Sequence, residues 1–356
     1  MNLTRLNRLT ENMAGQGIDQ LIISSPRSIY YLLGNTIEPH ERLFALTVDA
    51  DGTTRLFVNE LDAMHFNSSG VDITTFSDAE DSVALLANLV KGGNTIGIDK
   101  DWPSQFLLRL MDKADGHYVI GSRAVDETRM IKDDKEISRL RNASQINDTA
   151  MTEAMTLVQA GLSESEVGEA LEKIYRNHST TLAFSLICYG ANAAEPHHNS
   201  DDTRLGDNQC VIIDIGGVTK GYYSDMTRSF FKGTPDDEYQ KIYETVLNAN
   251  LAGINAVKPG IHFADIDRAA RDVIDKAGYG EYFIHRTGHN IGLDGHEYPD
   301  VGVGSEVMVQ PGMTFSIEPG IYIPGKYGVR IEDIVLVTEN GCEVLNDYSK
   351  EFATIN

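Results

Sequence analysis

With 53 acidic residues against 30 basic ones, the 356-residue chain has a formal net charge of −23 and an isoelectric point near 4.7. That balance works against binding nucleic acid or an anionic membrane, both of them polyanions, and no run approaches the roughly 18 apolar residues that a membrane span needs. The length exceeds what one core ordinarily fills, so two domains or one large one are expected.

The opening stretch MNLTRLNRLTENMAGQG places Leu3, Leu6, Leu9 and Met13 on one helical face and lacks the apolar centre of a signal peptide. Three cysteines, Cys188, Cys210 and Cys342, stand far apart with no CxxC spacing, which points to free thiols in a reducing compartment. A soluble, cytoplasmic protein is expected. Residues 1–125 alternate short strands (QLIISS, LFALTVDADG, TRLFVN, TIGID) with helical segments such as DSVALLANLVKGG, the pattern of a small amino-terminal α/β domain. Its one unusual cluster is Glu38-Pro39-His40-Glu41-Arg42. This is either a solvated loop or a loop facing substrate or a second subunit, because His40, Glu41 and Arg42 offer both donors and acceptors to a charged ligand.

The charged run from 124 to 135 reads as a linker into a second domain, residues 126–356. A long helix follows, EISRLRNASQINDTAMTEAMTLVQAG, stopped by Gly161. The segment SESEVGEALEKIYRNH starts a second helix on a Ser-x-x-Glu cap, and TTLAFSLICYGANAAEPHHNS gives a strand, a loop and the pair His197-His198.

Two acidic hairpins then dominate the argument. VIIDIGGVTKGYYSDMTRSFF reads as paired apolar strands, each carrying one aspartate, Asp214 and Asp225, within what is otherwise core. With the turn centred between Thr219 and Lys220, the two aspartates face each other at a Cβ separation of about 4.5–5.5 Å. Buried, opposed carboxylates cost several kcal/mol unless a cation lies between them. FSIEPGIYIPGKYGVRIEDIVLVTENG repeats the device, and a turn centred on Gly325 sets Glu318 opposite Glu332. The recurrence of helices followed by an acidic hairpin predicts two pseudo-twofold α-β halves. Four carboxylates neutralise two divalent ions, and His285, His289 and His296 offer nitrogen ligands. The His285–His289 spacing suits a helical zinc pair, but Gly288, Gly292 and Gly295 argue for a loop or strand there.

The order of Asp214 in IDIGG, Asp225 in YYSDMTRSF, His289 in HRTGHNIGL, Glu318 in FSIEPGIY and Glu332 in VRIEDIV resembles the pita-bread metallopeptidases, the group of prolidase, aminopeptidase P and methionine aminopeptidase, over residues 133 to 350. The resemblance implies an α/β (α+β) chain whose catalytic domain binds two divalent ions per subunit, manganese first and cobalt or zinc as alternatives. Asp214 would bind one ion, Asp225 and Glu332 would bridge both, and His289 and Glu318 would bind the other. It further implies amide hydrolysis by a hydroxide held between the ions, with Glu318 moving the water proton. His197 would assist the oxyanion, and His296 would contact substrate near the scissile bond. Arg330, two residues before Glu332, would orient the bridging carboxylates, and His198 would be only a neighbour.

The leading domain is similar to that of prolidases and aminopeptidases P, which implies a small peptide substrate, cleavage beside proline and a homodimer. Xaa-Pro dipeptide hydrolysis is the first expectation. Aminopeptidase P-like release of a residue from Xaa-Pro-Yaa, a hydrolase of another small substrate, and a metal-free binding protein on the same fold are the alternatives. Asn290 and Gly295 depart from the family pattern, which has glycine and a branched residue at those places, and so bear on pocket shape.

Overall fold

A computed structural model describes residues 1–67 and 69–355 and divides into two compact units, Met1–Arg129 and Met130–Asn356. In the first, the four anticipated strands form as Gln20–Ile23, Ala45–Asp49, Thr54–Asn59 and Thr95–Ile98. Two more, Asp72–Phe76 and His117–Ile120, close the edges of a six-stranded mixed sheet. Both edge strands bury only part of their side chains, so neither carries the apolar run that betrays an inner strand. Ile22, Phe57, Ile96, Trp102 and Phe106 share one core of this unit.

The helix Pro26–Leu33, capped by Ser25 and ended by Gly34, delivers the chain to the loop that carries His40, Glu41 and Arg42. His40 and Glu41 are exposed. Arg42 is not a free cation: its Nε and Nη2 each reach an Asp78 carboxylate oxygen at 2.9 Å. Such a planar bidentate pair braces the loop and occupies the donors a ligand would need.

The run expected to be a linker is helical instead. Residues Ser122–Met130 form a helix, and the next, Asp134–Gln159, begins after Asp133. The stretch lacks Gly and Pro, and Arg123 pairs with Glu127 one turn on at 2.8 Å, which favours helix.

The second unit contains two halves of one design. In the first half, helices Asp134–Gln159 and Glu164–Asn177, each opened by a capping box, lie on a sheet ordered Thr354–Ile355, Met226–Lys232, Gln209–Thr219, Thr181–Tyr189. Met151, Val167 and Leu171 pack there with Ile187, Ile213 and Ile215. In the second half, helices Asp237–Ala256 and Phe263–Lys276 lie on a sheet ordered Glu297–Val301, Gly288–Asn290, Thr314–Ile317, Asp333–Val337, Cys342–Val344. Phe263 and Ile266 pack with Phe315, Ile317 and Val335.

The halves share a polar detail as well. Asn147 donates to the Ile215 carbonyl at 2.8 Å, and Asn250 donates to the Ile317 carbonyl at 2.8 Å. Each is a fully buried helix asparagine plugged into the backbone beside an acid of the hairpins, Asp214 or Glu318.

The first hairpin is registered two residues away from the expectation. Asp214 pairs with Thr227, not Asp225, because the turn is built on Lys220 and Gly221, both at positive φ (51° and 87°), as a tight two-residue turn requires. The shift preserves parity, so Asp214 and Asp225 share a face as diagonal rather than direct neighbours. The second hairpin has the expected register: Gly320–Ile323 pairs with Tyr327–Arg330 around Gly325, and Thr314–Ile317 pairs with Asp333–Val337. Glu318 and Glu332 fall where these two ladders are interrupted. Their backbone N–H groups cross to other segments, Glu318 to the Thr287 carbonyl at 2.8 Å and Glu332 to the Thr227 carbonyl at 3.1 Å.

Among the described residues, no helix is long and apolar enough to cross a membrane. Burial raises the Cys188 and Cys210 thiols to about 12, so both are unreactive core groups.

Candidate metal centre

The hairpins and the short strand Gly288–Asn290 bring their acids and one imidazole into a buried cluster. Asp225, His289 and Glu332 offer ligand atoms that all lie within 4.8 Å of one another. His289 Nε2 is 3.4 Å from Glu318 Oε1 and 3.7 Å from Asp225 Oδ2. Asp214 lies on the same floor, 8% exposed.

The electrostatics demand a positive charge. Burial first, and then the neighbouring carboxylates, raise Asp225 and Glu332 well above the usual carboxylate range, and burial lifts Glu318 to about 7. Burial lowers His289 to about 3, so the ring is neutral. Its Nδ1 is 3.2 Å from the Asn290 carbonyl, which can only accept, so the proton sits on Nδ1 and Nε2 presents a lone pair. That lone pair faces carboxylate oxygens that also only accept once ionised. Two further acceptors, Asp214 Oδ1 and Glu332 Oε1, are buried without a hydrogen-bond partner. Converging unpaired acceptors, four acids and a neutral imidazole suit a divalent cation and little else.

The surrounding side chains hold this set in orientation. Arg330, buried, reaches three groups: Asp214 Oδ2 at 2.6 Å, Thr227 Oγ1 at 3.1 Å and the Tyr322 hydroxyl at 2.9 Å. Thr227 Oγ1 donates in turn to Glu332 Oε2 at 2.8 Å. Arg330 thus acts directly on Asp214 and reaches Glu332 only through Thr227. The cause is the two-residue register shift, which places Thr227 opposite Asp214. Ser316, two residues before Glu318, accepts from the His289 N–H at 3.0 Å and donates to Glu318 Oε1 at 3.2 Å. Thr227, Tyr322 and Ser316 escaped the sequence reading, although Ser316 was legible as the same-face neighbour of Glu318.

The other histidines divide by role. His285, lowered to about 4 chiefly by burial, gives its Nδ1 proton to the Arg286 carbonyl at 2.7 Å, so its Nε2 accepts from the Tyr322 hydroxyl at 2.9 Å. It ends an orienting chain and is not a ligand. His296 is exposed, its ring centroid 4.0 Å from that of His289, with Arg286 Nη2 3.3 Å from its Nδ1. An accepting Nδ1 leaves the proton on Nε2. His197 is exposed. His198 joins Glu164 and Asp201 in a second grouping of metal-ligand type. There the fully buried Glu164 already accepts from the Tyr189 and Asp201 N–H groups at 2.6 and 3.1 Å and from Asn192, so His198 Nε2 at 3.0 Å completes a hydrogen-bonded acid that ties down the loop.

Neither departure from the family pattern reshapes the cluster directly. Asn290 is buried in an extended strand, not at positive φ, and its side chain donates to the Pro299 carbonyl at 2.8 Å. An added Cβ at Gly295 would meet the Tyr223 ring at 3.3 Å, so the small residue leaves room for that ring.

Two helix-backed sheets facing each other across buried carboxylates and one imidazole define a pita-bread metallopeptidase. Residues 138–339 match the metallopeptidase family M24, and residues 5–131 match the creatinase/prolidase N-terminal domain. The chain belongs to metallopeptidase family M24, whose members depend on divalent metal. It is similar to the solved dipeptidase PepE of Mycobacterium ulcerans (34% identity, TM-score 0.94, covering 99% of this chain and 97% of that one). It is also similar to a dipeptidase of Pyrococcus horikoshii (37%, TM-score 0.93, 98% and 99%). The Xaa-Pro dipeptidase of Bacillus anthracis aligns at 31% identity and a TM-score of 0.90, over 99% of each chain.

Proposed function

We propose that this enzyme hydrolyses Xaa-Pro dipeptides with two divalent ions, manganese in the first instance, as a cytoplasmic homodimer. The observation that carries the metal-dependent reading is the His289 Nε2 lone pair facing Glu318 and Asp225 at 3.4 and 3.7 Å with no proton of its own to offer. Full-length likeness to dipeptidases supports the substrate class. Asp214 would hold one ion, His289 and Glu318 the other, and Asp225 and Glu332 would contribute to both. The oxygen-rich set favours a hard ion over a thiophilic one. When bound, the ions supply Lewis-acid polarisation of the scissile carbonyl and a water of lowered pKa.

The chain's own groups do the rest. Glu318, 3.4 Å from His289 Nε2 on the floor of the cluster, is the carboxylate that accepts the proton of the attacking water and returns it to the leaving amine. His197 and His296 reach the site from its exposed side and donate to the carbonyl oxygen and to substrate near the scissile bond. Arg330 holds Asp214 in orientation through the 2.6 Å contact to its Oδ2. His40 and Glu41 are the loop residues proposed to approach substrate, with Arg42 fixing that loop through Asp78.

The test is a panel of peptides on chelated protein with each metal restored in turn. Leu-Pro should be cleaved, best with Mn²⁺, and Leu-Pro-Pro poorly. Activity on the tripeptide alone would replace this reading with an aminopeptidase P-like one, and a purified protein that retains and responds to no divalent ion would overturn the metal assignment.

A further inference from the structure

Lys132 and Glu297 form an ion pair at 3.1 Å whose side chains are 1% and 6% exposed. A buried pair of this kind contributes little net stability, because desolvating both charges offsets their attraction. Its placement gives it a use. Glu297 directly follows His296 in the chain, and the segment between the metal-site residue His289 and His296 is a tight loop. The other carboxylate oxygen of Glu297, Oε1, accepts the N–H groups of Leu293 and Asp294 at 2.9 and 3.2 Å. Gly292 makes the approach feasible: a Cβ there would sit 2.8 Å from both carboxylate oxygens. The loop's other side is fixed by the Tyr223 N–H, which donates to the Gly292 carbonyl at 2.8 Å. Lys132 is itself anchored, its N–H donating to the Gly312 carbonyl at 2.9 Å.

We infer that the Lys132–Glu297 pair is a positioning clamp that holds the loop 291–296 so that the His296 imidazole, tilted against that of His289 at a centroid distance of 4.0 Å, meets the substrate. Lys132 fixes Glu297, Glu297 fixes the loop amides, and the loop sets the ring. The inference rests on the substrate-contacting role proposed for His296. Neither clamp residue touches substrate, so its effect passes through His296 alone.

A double-mutant cycle tests this in the metal-loaded full-length enzyme. Glu297→Gln and Lys132→Met should each lower kcat on Leu-Pro by about 10- to 100-fold, the scale of a misplaced catalytic contact, with bound metal unchanged. In a His296→Ala background, neither substitution should lower kcat further. Losses that multiply with His296→Ala, or that coincide with lost metal, would overturn the clamp. Lys132→Arg, which keeps the charge, should retain most activity and covers the case in which Glu297→Gln does not fold; an Arg variant as impaired as Lys132→Met would count against the pair. If the unaltered enzyme cleaves no peptide, the functional reading fails separately. The clamp is then read from amide hydrogen exchange at Leu293 and Asp294, which should be about tenfold faster in Lys132→Met than in the unaltered protein, and unchanged exchange refutes it.

Discussion

Arg330 and Asp214 lie 2.6 Å apart with side chains 4% and 11% exposed, and they come from different sheets of the catalytic unit. Removing the guanidinium leaves Asp214 as an uncompensated buried charge and strips Thr227 and Tyr322 of a donor. In chelated protein, Arg330→Met should therefore cost about 3–5 kcal/mol of stability, measured by urea unfolding. Arg330→Lys should fall between, since a point charge cannot reach all three partners. A Met variant as stable as the parent would show that the pair has no structural role.

The proposed division of labour among the acids predicts different metal losses. Asp225→Asn should leave no tightly bound ion, whereas Asp214→Asn should keep one of two. Metal content after gel filtration, read by mass spectrometry, separates the cases, and equal loss from both variants would refute the assignment of Asp225 as a bridge.

The effect of pH follows from the raised acids. Asp225 and Glu332 lie well above the ordinary range and Glu318 at about 7, chiefly through burial, whereas in the unfolded chain such groups ionise near pH 4. Between those values the folded state holds the extra protons, so raising the pH destabilises the metal-free fold. Bound cations displace the protons and remove that penalty. The melting-temperature gain on adding Mn²⁺ to chelated protein should grow from about pH 5 to about pH 7.5. His285 and His289, lowered to about 4 and about 3, act in the opposite sense but are neutral with and without metal, so they cancel in the difference. A gain that shrinks as pH rises would contradict the charge balance.

Two glycines flanking the histidines should behave oppositely. A Cβ at Gly288 would stand 1.9 Å from the Ser316 carbonyl oxygen, a backbone atom that cannot yield, so Gly288→Ala should cost about 2–3 kcal/mol and disturb His289. At Gly295 the nearest atom belongs to the Tyr223 side chain at 3.3 Å, so alanine should fold normally. Thermal melts of the two variants decide the comparison.

Much of the site was legible because it violates the rules of a core. Acids at Asp214, Asp225, Glu318 and Glu332 inside apolar strands announce a compensating charge, and the turn at Gly325 gives the second hairpin its register. The first hairpin misled by two residues because Lys220 occupies a left-handed position that ordinary side chains avoid. Arg330's true partners were hidden for the same reason, since Thr227 becomes its neighbour only in the observed register. The buried asparagines Asn147 and Asn250 and the clamp residue Lys132 carry no sequence signal at all; their contacts join segments more than 60 residues apart. The pairing of Arg42 with Asp78 likewise joins segments that are remote in the chain.

Asp214 and Asp225 belong to one half of the catalytic unit, and His289, Glu318 and Glu332 to the other. An ion held by both sets would be a removable crosslink between the two halves. Its binding energy would add to the contacts that already join them, such as Arg330–Asp214 and Arg228–Asp333, and would raise the cost of unfolding the whole unit. A substitution far from the site that loosens one helix pair would, by the same linkage, weaken metal affinity without touching a ligand.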